Sequence, residues 1–452
     1  MKTIAALITS LMLISSTVAD VINVPEDYPT IQGAIDAASD GDEILVAPGT
    51  YTSTHPAHVV DLKGKAIILE STGTPEETII DGENERRGIA CFNGETDATI
   101  IRGLTIANGL GIYYDYNGDG KPNFGEGSGG GIYCLQSTPT IIDCIISNNM
   151  TESYGGGIYC HQSNARITYC MMTDNISGSK GGGIYCHQSN ATISNCVVSA
   201  NSVYGDGGGI GCYQSSPTID SCTIAYNKDL GNGYRGGGIF CFYLSSPTIS
   251  NCIIKNNQVE RHGGGICCIL LSSPVITNCT ITSNSSTLFN GGGIYCYNDS
   301  NPIIMDCNII DNIAEEQGGG IYSYDSTLTI TNCNISRNTS RKGDNFGAGG
   351  LYEEQNGEFV LSGTKVCSNI PNQIGGTWID KGDNEVLDVC TTCDGDATGD
   401  FLIDVNDVLY VLSVWGSDDV NADFDENGLV DVDDVLILLS QFGETCSEEA
   451  GQ

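Results

Sequence analysis

Three short segments place oxygen-bearing side chains at the spacing of a calcium loop. In DATGDFLIDVND, positions 1, 3, 5, 9 and 12 are Asp396, Thr398, Asp400, Asp404 and Asp407. In DFDENGLVDVDD the same positions hold Asp423, Asp425, Asn427, Asp431 and Asp434. In DYNGDGKPNFGE they hold Asp115, Asn117, Asp119, Asn123 and Glu126, with Gly120 at position 6. Hard divalent cations take carboxylate and amide oxygens, and a loop so spaced wraps them around one calcium ion. The first two loops start 27 residues apart, and each leads into an apolar, helix-like stretch, Val408–Trp415 and Val435–Phe442. The third has Pro122 at position 8 and no such stretch beside it, so its competing reading is an Asn-Gly-Asp-Gly turn.

A second set of candidate residues recurs through the middle of the chain. Tyr133, Tyr159, Tyr185, Phe240, Tyr295, Tyr322 and Tyr352 each follow a glycine triplet by two residues. His161, His187, Tyr213, Phe242, Tyr297 and Tyr324 follow by four. Strand alternation turns both rows outward. Exposed rings one repeat apart form a strip that stacks on sugars or docks a protein. The competing reading is ring stacking that only holds the sheet. Tyr133, Tyr159, Tyr185, Tyr213, Phe240, Tyr295 and Tyr322 are therefore the candidate ligand-binding residues. His161 and His187 lie one repeat apart, but two imidazoles without a carboxylate are a poor transition-metal site.

These residues must be positioned by a repeat. Gly-Gly-Gly ends at Gly131, Gly157, Gly183, Gly209, Gly238, Gly265, Gly293 and Gly320, and in degenerate form at Gly350. The steps are 26, 26, 26, 29, 27, 28, 27 and 30 residues. So regular a period means units that bury their apolar faces on one another. Within one unit, GGGIGCYQSSPTIDSCTIAYN (Gly207–Asn227), short alternating runs are separated by turns, and no stretch has a long 3.6 period. The pattern predicts three short strands per coil and an all-β, right-handed parallel β-helix solenoid. Asn149, Asn175, Asn201, Asn227, Asn257, Asn284, Asn312 and Asn338 each fall five residues after a cysteine. Asparagine suits a left-handed turn, and stacked amides bond from coil to coil. Asn108 suggests that this ladder starts one coil earlier.

Composition narrows the partners. Acidic residues number 56 against 18 basic, a net charge of −38, which argues against nucleic acid. The opening MKTIAALITSLMLISSTVA has one Lys, an apolar stretch and a small-residue end, the form of a secretory signal over residues 1–19. No later stretch is long and apolar enough to span a bilayer. Fifteen of the 21 cysteines form two columns, Cys134 to Cys296 and Cys144 to Cys333, in phase with inward isoleucines. Stacked buried thiols are favoured over within-coil disulfides. Cys393 and Cys446 flank the acidic tail and could clasp it; Cys367 could pair with Cys390.

The triplets, the Asn column and the run VINVPEDYPTIQGAIDAASDGDEILVAPGTY (Val21–Tyr51) resemble the pectin-lyase-like superfamily of parallel β-helix proteins. The resemblance covers about Val21 to Trp378. It implies a cap over residues 21–51, in which Thr30–Ala38 is a short helix plugging the open coil, and repeats over about 88–378. The duplicated loop and helix beyond residue 390 resembles a type I dockerin domain. That implies a small α-helical calcium-binding module over 390–452, with a cohesin-like or other surface protein as partner through residues 394–446. Phe401 stands at the glycine position of the first loop, and Val405, Asn406, Val432 and Asp433 are not the Ser/Thr pairs common in cohesin-recognising modules. The solenoid itself spans 20–389.

The Asn-Thr-Asp, Asp-Asp, Gly-His-Gly and Arg-Ile-Lys signatures of polygalacturonases are absent, and no catalytic residue is assigned. Two functions follow as expectations. The first is an exported β-helix that binds extracellular polysaccharide or protein on a repetitive face and attaches through the calcium module. The alternative is a polysaccharide lyase or glycoside hydrolase delivered by that module. Residues 394–452 carry 16 carboxylates and no Lys or Arg, so calcium is expected to order them. A chelator should lower the helical circular-dichroism signal and the protease resistance of this segment. Asp396→Ala or Asp423→Ala should weaken the response.

Overall fold

One repeat shows how the coil is made. Ile158–His161, Arg166–Thr168, Met171–Thr173 and Ile176–Ser177 are short strands separated by tight turns. After the triplet Gly181–Gly183 the strand Ile184–His187 lies on the first in parallel, Ile158 over Ile184, Cys160 over Cys186 and His161 over His187. This computed structural model describes residues 19–113, 127–231, 235–342, 347–388, 390, 397–398, 403–417, 419, 422–424, 429–440 and 442. Repetition of the coil gives four parallel sheets. Sheet one has 14 strands, from Val21–Val24 to Trp378–Asp380, and sheet two has 13, from Gly49–Tyr51 to Glu385–Leu387. Sheet three has 12, from His58–Asp61 to Ile374–Gly375, and follows the triplets. Sheet four has nine strands of two residues each, from Leu110–Gly111 to Thr339–Ser340. The three-strand coil read from the sequence is thus corrected to four, because two-residue strands leave no alternation to read.

Inward residues stack into one continuous core. Ile141, Ile167, Ile193, Ile219, Ile249 and Ile276 of sheet one are fully buried, as are the two cysteine columns. Each such isoleucine contributes about 1.5–3 kcal/mol by leaving water. Seventeen cysteines among the described residues are free and buried, including both columns; Cys91 extends the first, in register with Cys134. Cys367 and Cys390 form a disulfide.

The turns are held by side-chain ladders parallel to the solenoid axis. Asn227 Nδ2 donates to Val198 O (2.8 Å) and to Asn257 Oδ1 (3.0 Å), and the Asn227 backbone N–H donates to the same Oδ1 (3.0 Å). The pattern runs from Asn149 to Asn369, where Gln373 Oε1 accepts both the N–H and the Nδ2–H of Asn369. Asn108 is not its first member. It aligns with Asn148, and the slot beside Asn149 is Gly109. The left-handed residue is the one before each ladder asparagine, Asn148 (φ 56°), Asp174 (φ 56°) or Asn256 (φ 54°). Serines do the same after sheet three: Ser215 N–H donates to Ser245 Oγ (3.2 Å), and Ser215 Oγ donates to Cys186 O (3.1 Å). The second cysteine column is a third ladder. Cys222 N–H donates to Cys252 Sγ (3.5 Å), and Cys222 Sγ donates to Asp220 O (3.2 Å).

Helix α1 (Ile31–Ala37) begins at Thr30, whose side chain accepts from Gly33 N–H (3.1 Å). Its Ile31, Ala34 and Ile35 are buried in the same core as the coils. Two further helices, α2 (Val405–Ser413) and α3 (Val432–Ser440), share a separate core of Ile403, Val411, Val430 and Leu438. Both start three residues earlier than the apolar stretches implied. Asp404 accepts from Asn406 N–H, and Asp407 accepts from Asp404 N–H, a reciprocal cap that draws Val405 into the helix.

Asn227→Leu removes the donors to two carbonyl groups and the acceptor for Asn201, all buried. It is expected to cost about 3 kcal/mol or more in chemical denaturation. Cys222→Ser keeps a donor and an acceptor, and should cost less than Cys222→Ala.

Candidate functional site

The outer face of sheet three carries both aromatic rows, and the glycine triplet decides their exposure. The first glycine of a triplet turns left-handed and packs on the ring residue that follows: a Cβ on Gly181 (φ +65°) would lie 2.7 Å from Tyr185 Cβ. The third has no room for a side chain: a Cβ on Gly183 would lie 2.8 Å from Gly209 O and 3.0 Å from the ladder atom Asn201 Nδ2. The first ring row is therefore covered. Tyr133, Tyr159, Tyr185, Phe240, Tyr295 and Tyr322 point away from the core but are buried, Tyr159 to 0% exposure. The expectation that they form an open strip is overturned. Alternation told which way they point but not that the chain folds back over them. Tyr159 and Tyr185 stack at 6.0 Å between centroids, Tyr154 lies 5.2 Å from Tyr185, His262 lies 4.3 Å from Tyr295, and the Arg87 guanidinium lies 4.5 Å from Tyr133.

The second row stays nearer solvent. Tyr213, Phe242 and Tyr324 are half-buried and Tyr297 is 37% exposed. Tyr213 and Phe242 lie 5.5 Å apart, Tyr297 and Tyr324 4.9 Å. Tyr243, Leu244 and Leu271, in the turn that follows, are exposed and extend the apolar surface. His161 and His187 stack at 4.6 Å. Burial, then the neighbouring His161, brings the His187 imidazole down to about 4. Burial, then Arg235 and Arg261, brings His262 down to about 3.

A polar row missed by the sequence reading runs beside the rings. It consists of the residue before each triplet, among them Tyr154, Lys180, Asp206, Arg235 and His262; parallel bridges join Tyr154 to Lys180, Lys180 to Asp206, and Arg235 to His262. Lys180 Nζ lies 3.0 Å from Asp206 Oδ2, 5.4 Å from the Phe240 ring centre and 5.0 Å from that of Phe242. Asp206 Oδ1 accepts the Arg235 N–H (3.1 Å). Its residue types change from coil to coil, so no column appears in the sequence; only its fixed place before the glycines could have revealed it.

In the helical segment, Asp407 is fully buried and accepts from Thr398 N–H (2.8 Å), Thr398 Oγ1 (2.9 Å) and Asp404 N–H (2.8 Å). Asp434 is equally buried and accepts from Phe424 N–H (2.6 Å) and Asp431 N–H (2.8 Å). Each closing aspartate thus turns back into its own loop and accepts the N–H of the residue three before it, while its contact at the loop start differs, Thr398 at the third position in one and Phe424 at the second in the other. Asp396, Asp400, Asp425 and Asn427 fall outside the described residues, as do Asp115, Asn117, Asp119, Asn123 and Glu126. Among the described residues no three His, Cys, Asp or Glu side chains converge to hold a metal, and no helix is long and apolar enough to cross a membrane.

Parallel coils with one continuous core, side-chain ladders at the turns and a ring-bearing outer face define a parallel β-solenoid. The family model of the right handed beta helix region matches residues 87–251, 130–291 and 232–389, and the chain belongs to that family. Among solved structures, pectate lyase Pel9A aligns over 81% of this chain and 79% of its own, with 14% identity and a TM-score of 0.36. Rice weevil pectin methyl esterase aligns over 64% and 83%, with 13% identity and a TM-score of 0.28. PfbA, a surface adhesin of Streptococcus pneumoniae, aligns over 82% and 93%, with 11% identity and a TM-score of 0.27. Likenesses this low carry no argument about activity. A comparison with curated proteins finds no match.

Two outcomes follow from the buried rows. Tyr159→Ala should lower stability by about 3–5 kcal/mol, the cost of emptying a packed aromatic site. The unfolded chain protonates histidine near 6.5, well above the folded value for His187. The stability that the neutral ring contributes is therefore present above about pH 6.5 and lost as pH falls toward about 4. His187→Gln should flatten the decline of the denaturation midpoint between pH 7 and 4.5.

Proposed function

We propose that this is an exported polysaccharide-binding protein whose sheet-three face lies against an extracellular glycan. The observation that carries the reading is the row Tyr213, Phe242, Tyr297 and Tyr324, flanked by exposed Tyr243, Leu244 and Leu271. An apolar, ring-bearing surface of this kind on a chain of net charge −38 marks an interaction site. The ligand surface is the second row and its turn, with Tyr213 the one sequence candidate left near solvent. Helix α1 closes the first coil, and residues 1–19 direct export.

Residues 394–446 form the attachment module, dockerin-like and calcium-dependent, for a cohesin-like or other surface protein. The residues fit the ion: two fully buried aspartates, Asp407 and Asp434, turn into duplicated oxygen-rich loops in a segment without Lys or Arg. Asp404 and Asp431 complete the described ligand set beside Thr398 and Asp423. Bound calcium would tie each loop to its helix. Val405, Leu409 and Leu412 on α2 with Trp415 just beyond it, and Val432, Leu436 and Leu439 on α3 with Phe442 just beyond it, are exposed at matching positions, which suits a protein partner.

The second reading, a glycan-cleaving lyase or hydrolase, draws on the polar row, where Lys180 and Asp206 sit beside the rings. One panel separates the two. The intact protein is mixed with insoluble and soluble polysaccharides, and both retention and newly released reducing or unsaturated ends are measured. Retention without release is expected. Tyr213→Ala with Tyr297→Ala should weaken retention roughly tenfold or more while the coil stays folded, since each ring contact is worth on the order of 1 kcal/mol. Release of ends would favour the enzyme, and no retention on any glycan would remove the binding reading.

A further inference from the structure

We propose that the pair Lys180–Asp206 is the recognition point of that face, and that it selects a neutral sugar bearing adjacent hydroxyls. The inference rests on the binding reading above and names the ligand class. The first ring row is broken at two coils, by Gly211 and by Cys267; at the first break Tyr185, Gly211 and Phe240 lie in register, and the middle position has no side chain. A Cβ on Gly211 would lie 2.7 Å from the Tyr185 ring, so that ring leans over the gap. At this break Lys180 reaches past its own coil. Its ammonium stands 5.4 Å from the buried Phe240 ring and 5.0 Å from the half-buried Phe242 ring, and bonds Asp206 Oδ2 at 3.0 Å. Both side chains remain partly open to solvent, 23% for Lys180 and 17% for Asp206. The pair therefore sets an ammonium and a carboxylate, both partly open to solvent, beside the half-buried Phe242 of the second row.

The chemistry of the pair suits hydroxyl groups. An ammonium has three N–H donors and Asp206 takes one; Asp206 accepts from Lys180 and from the Arg235 N–H, and a carboxylate has lone pairs beyond these. Adjacent hydroxyls of a pyranose both donate and accept, so one accepts from Lys180 while its neighbour donates to Asp206. The C–H face of the same ring then packs on Phe242 and Tyr213. Charge disfavours the acidic alternative: the cation is already matched by Asp206, and the chain carries −38 overall.

The test uses the full chain and calorimetric titration with soluble xylan, soluble β-glucan and polygalacturonate, at low and high salt. At least one neutral glycan is expected to bind with little salt dependence, and polygalacturonate not to bind. Lys180→Met keeps the aliphatic stem against the rings, and Asp206→Asn keeps the shape of the carboxylate. Each should weaken neutral-glycan binding roughly tenfold or more, the loss expected for a hydrogen bond to a charged group, with the circular-dichroism spectrum unchanged. Tighter, salt-sensitive binding of polygalacturonate would overturn the inference and leave the binding reading standing. So would wild-type affinity in both variants when Tyr213→Ala abolishes binding. Binding of none of the three would overturn the inference, and the wider polysaccharide panel then decides the binding reading separately.

Discussion

The amide of each ladder asparagine after Asn149 does three things at once. It donates back to a carbonyl of the preceding coil, donates forward to the next amide, and accepts the backbone N–H and the amide of the coil before it. In a parallel stack a slip of one residue would turn every inward isoleucine out. Buried amides that are bonded only in one register forbid that slip, because any other register leaves several of them unsatisfied at about 1–3 kcal/mol each. Serine hydroxyls and cysteine thiols repeat the arrangement at two other turns. The thiols thus act as turn hydrogen-bonding groups as well as core filler, and Thr364 takes their place beyond Cys333.

The ring rows and the polar row follow from that locked register. The third triplet glycine leaves room for the asparagine amide, and the first folds the chain back over the ring two residues beyond the triplet. Sheet three therefore presents not the row nearest the glycines but the next one, together with the turn that follows it. What reaches solvent there is a mixture of partly covered rings, aliphatic turn residues and one ammonium–carboxylate pair. The solenoid sets the spacing of these groups, and their identities vary from coil to coil.

Much of the fold was legible because it repeats. The triplets set the coil length, the Asn column marked a buried ladder, the cysteine phase placed the thiols inside, and Thr30 marked the start of α1. What escaped was local or non-repeating. A two-residue strand such as Ile176–Ser177 carries no periodic signal. The burial of Tyr159 depends on Tyr154 and Gly155, whose influence on the ring comes through a backbone turn rather than through hydrophobic pattern. The polar row has a fixed position but no fixed residue type. Helix α2 begins before its apolar run because a capping aspartate, not hydrophobicity, sets its first turn.

The far end of the asparagine ladder has its own consequence. Gln373 places its amide oxygen where one more asparagine would stand, and its Nε2 returns to Asn369 O (3.3 Å). A stack of identical coils has no inherent length: an open last amide would bond equally well to the first coil of another molecule, and such growth gives fibres. The single extra methylene of glutamine lets the chain fold its own terminator onto the ladder, and the column of amides closes within one molecule.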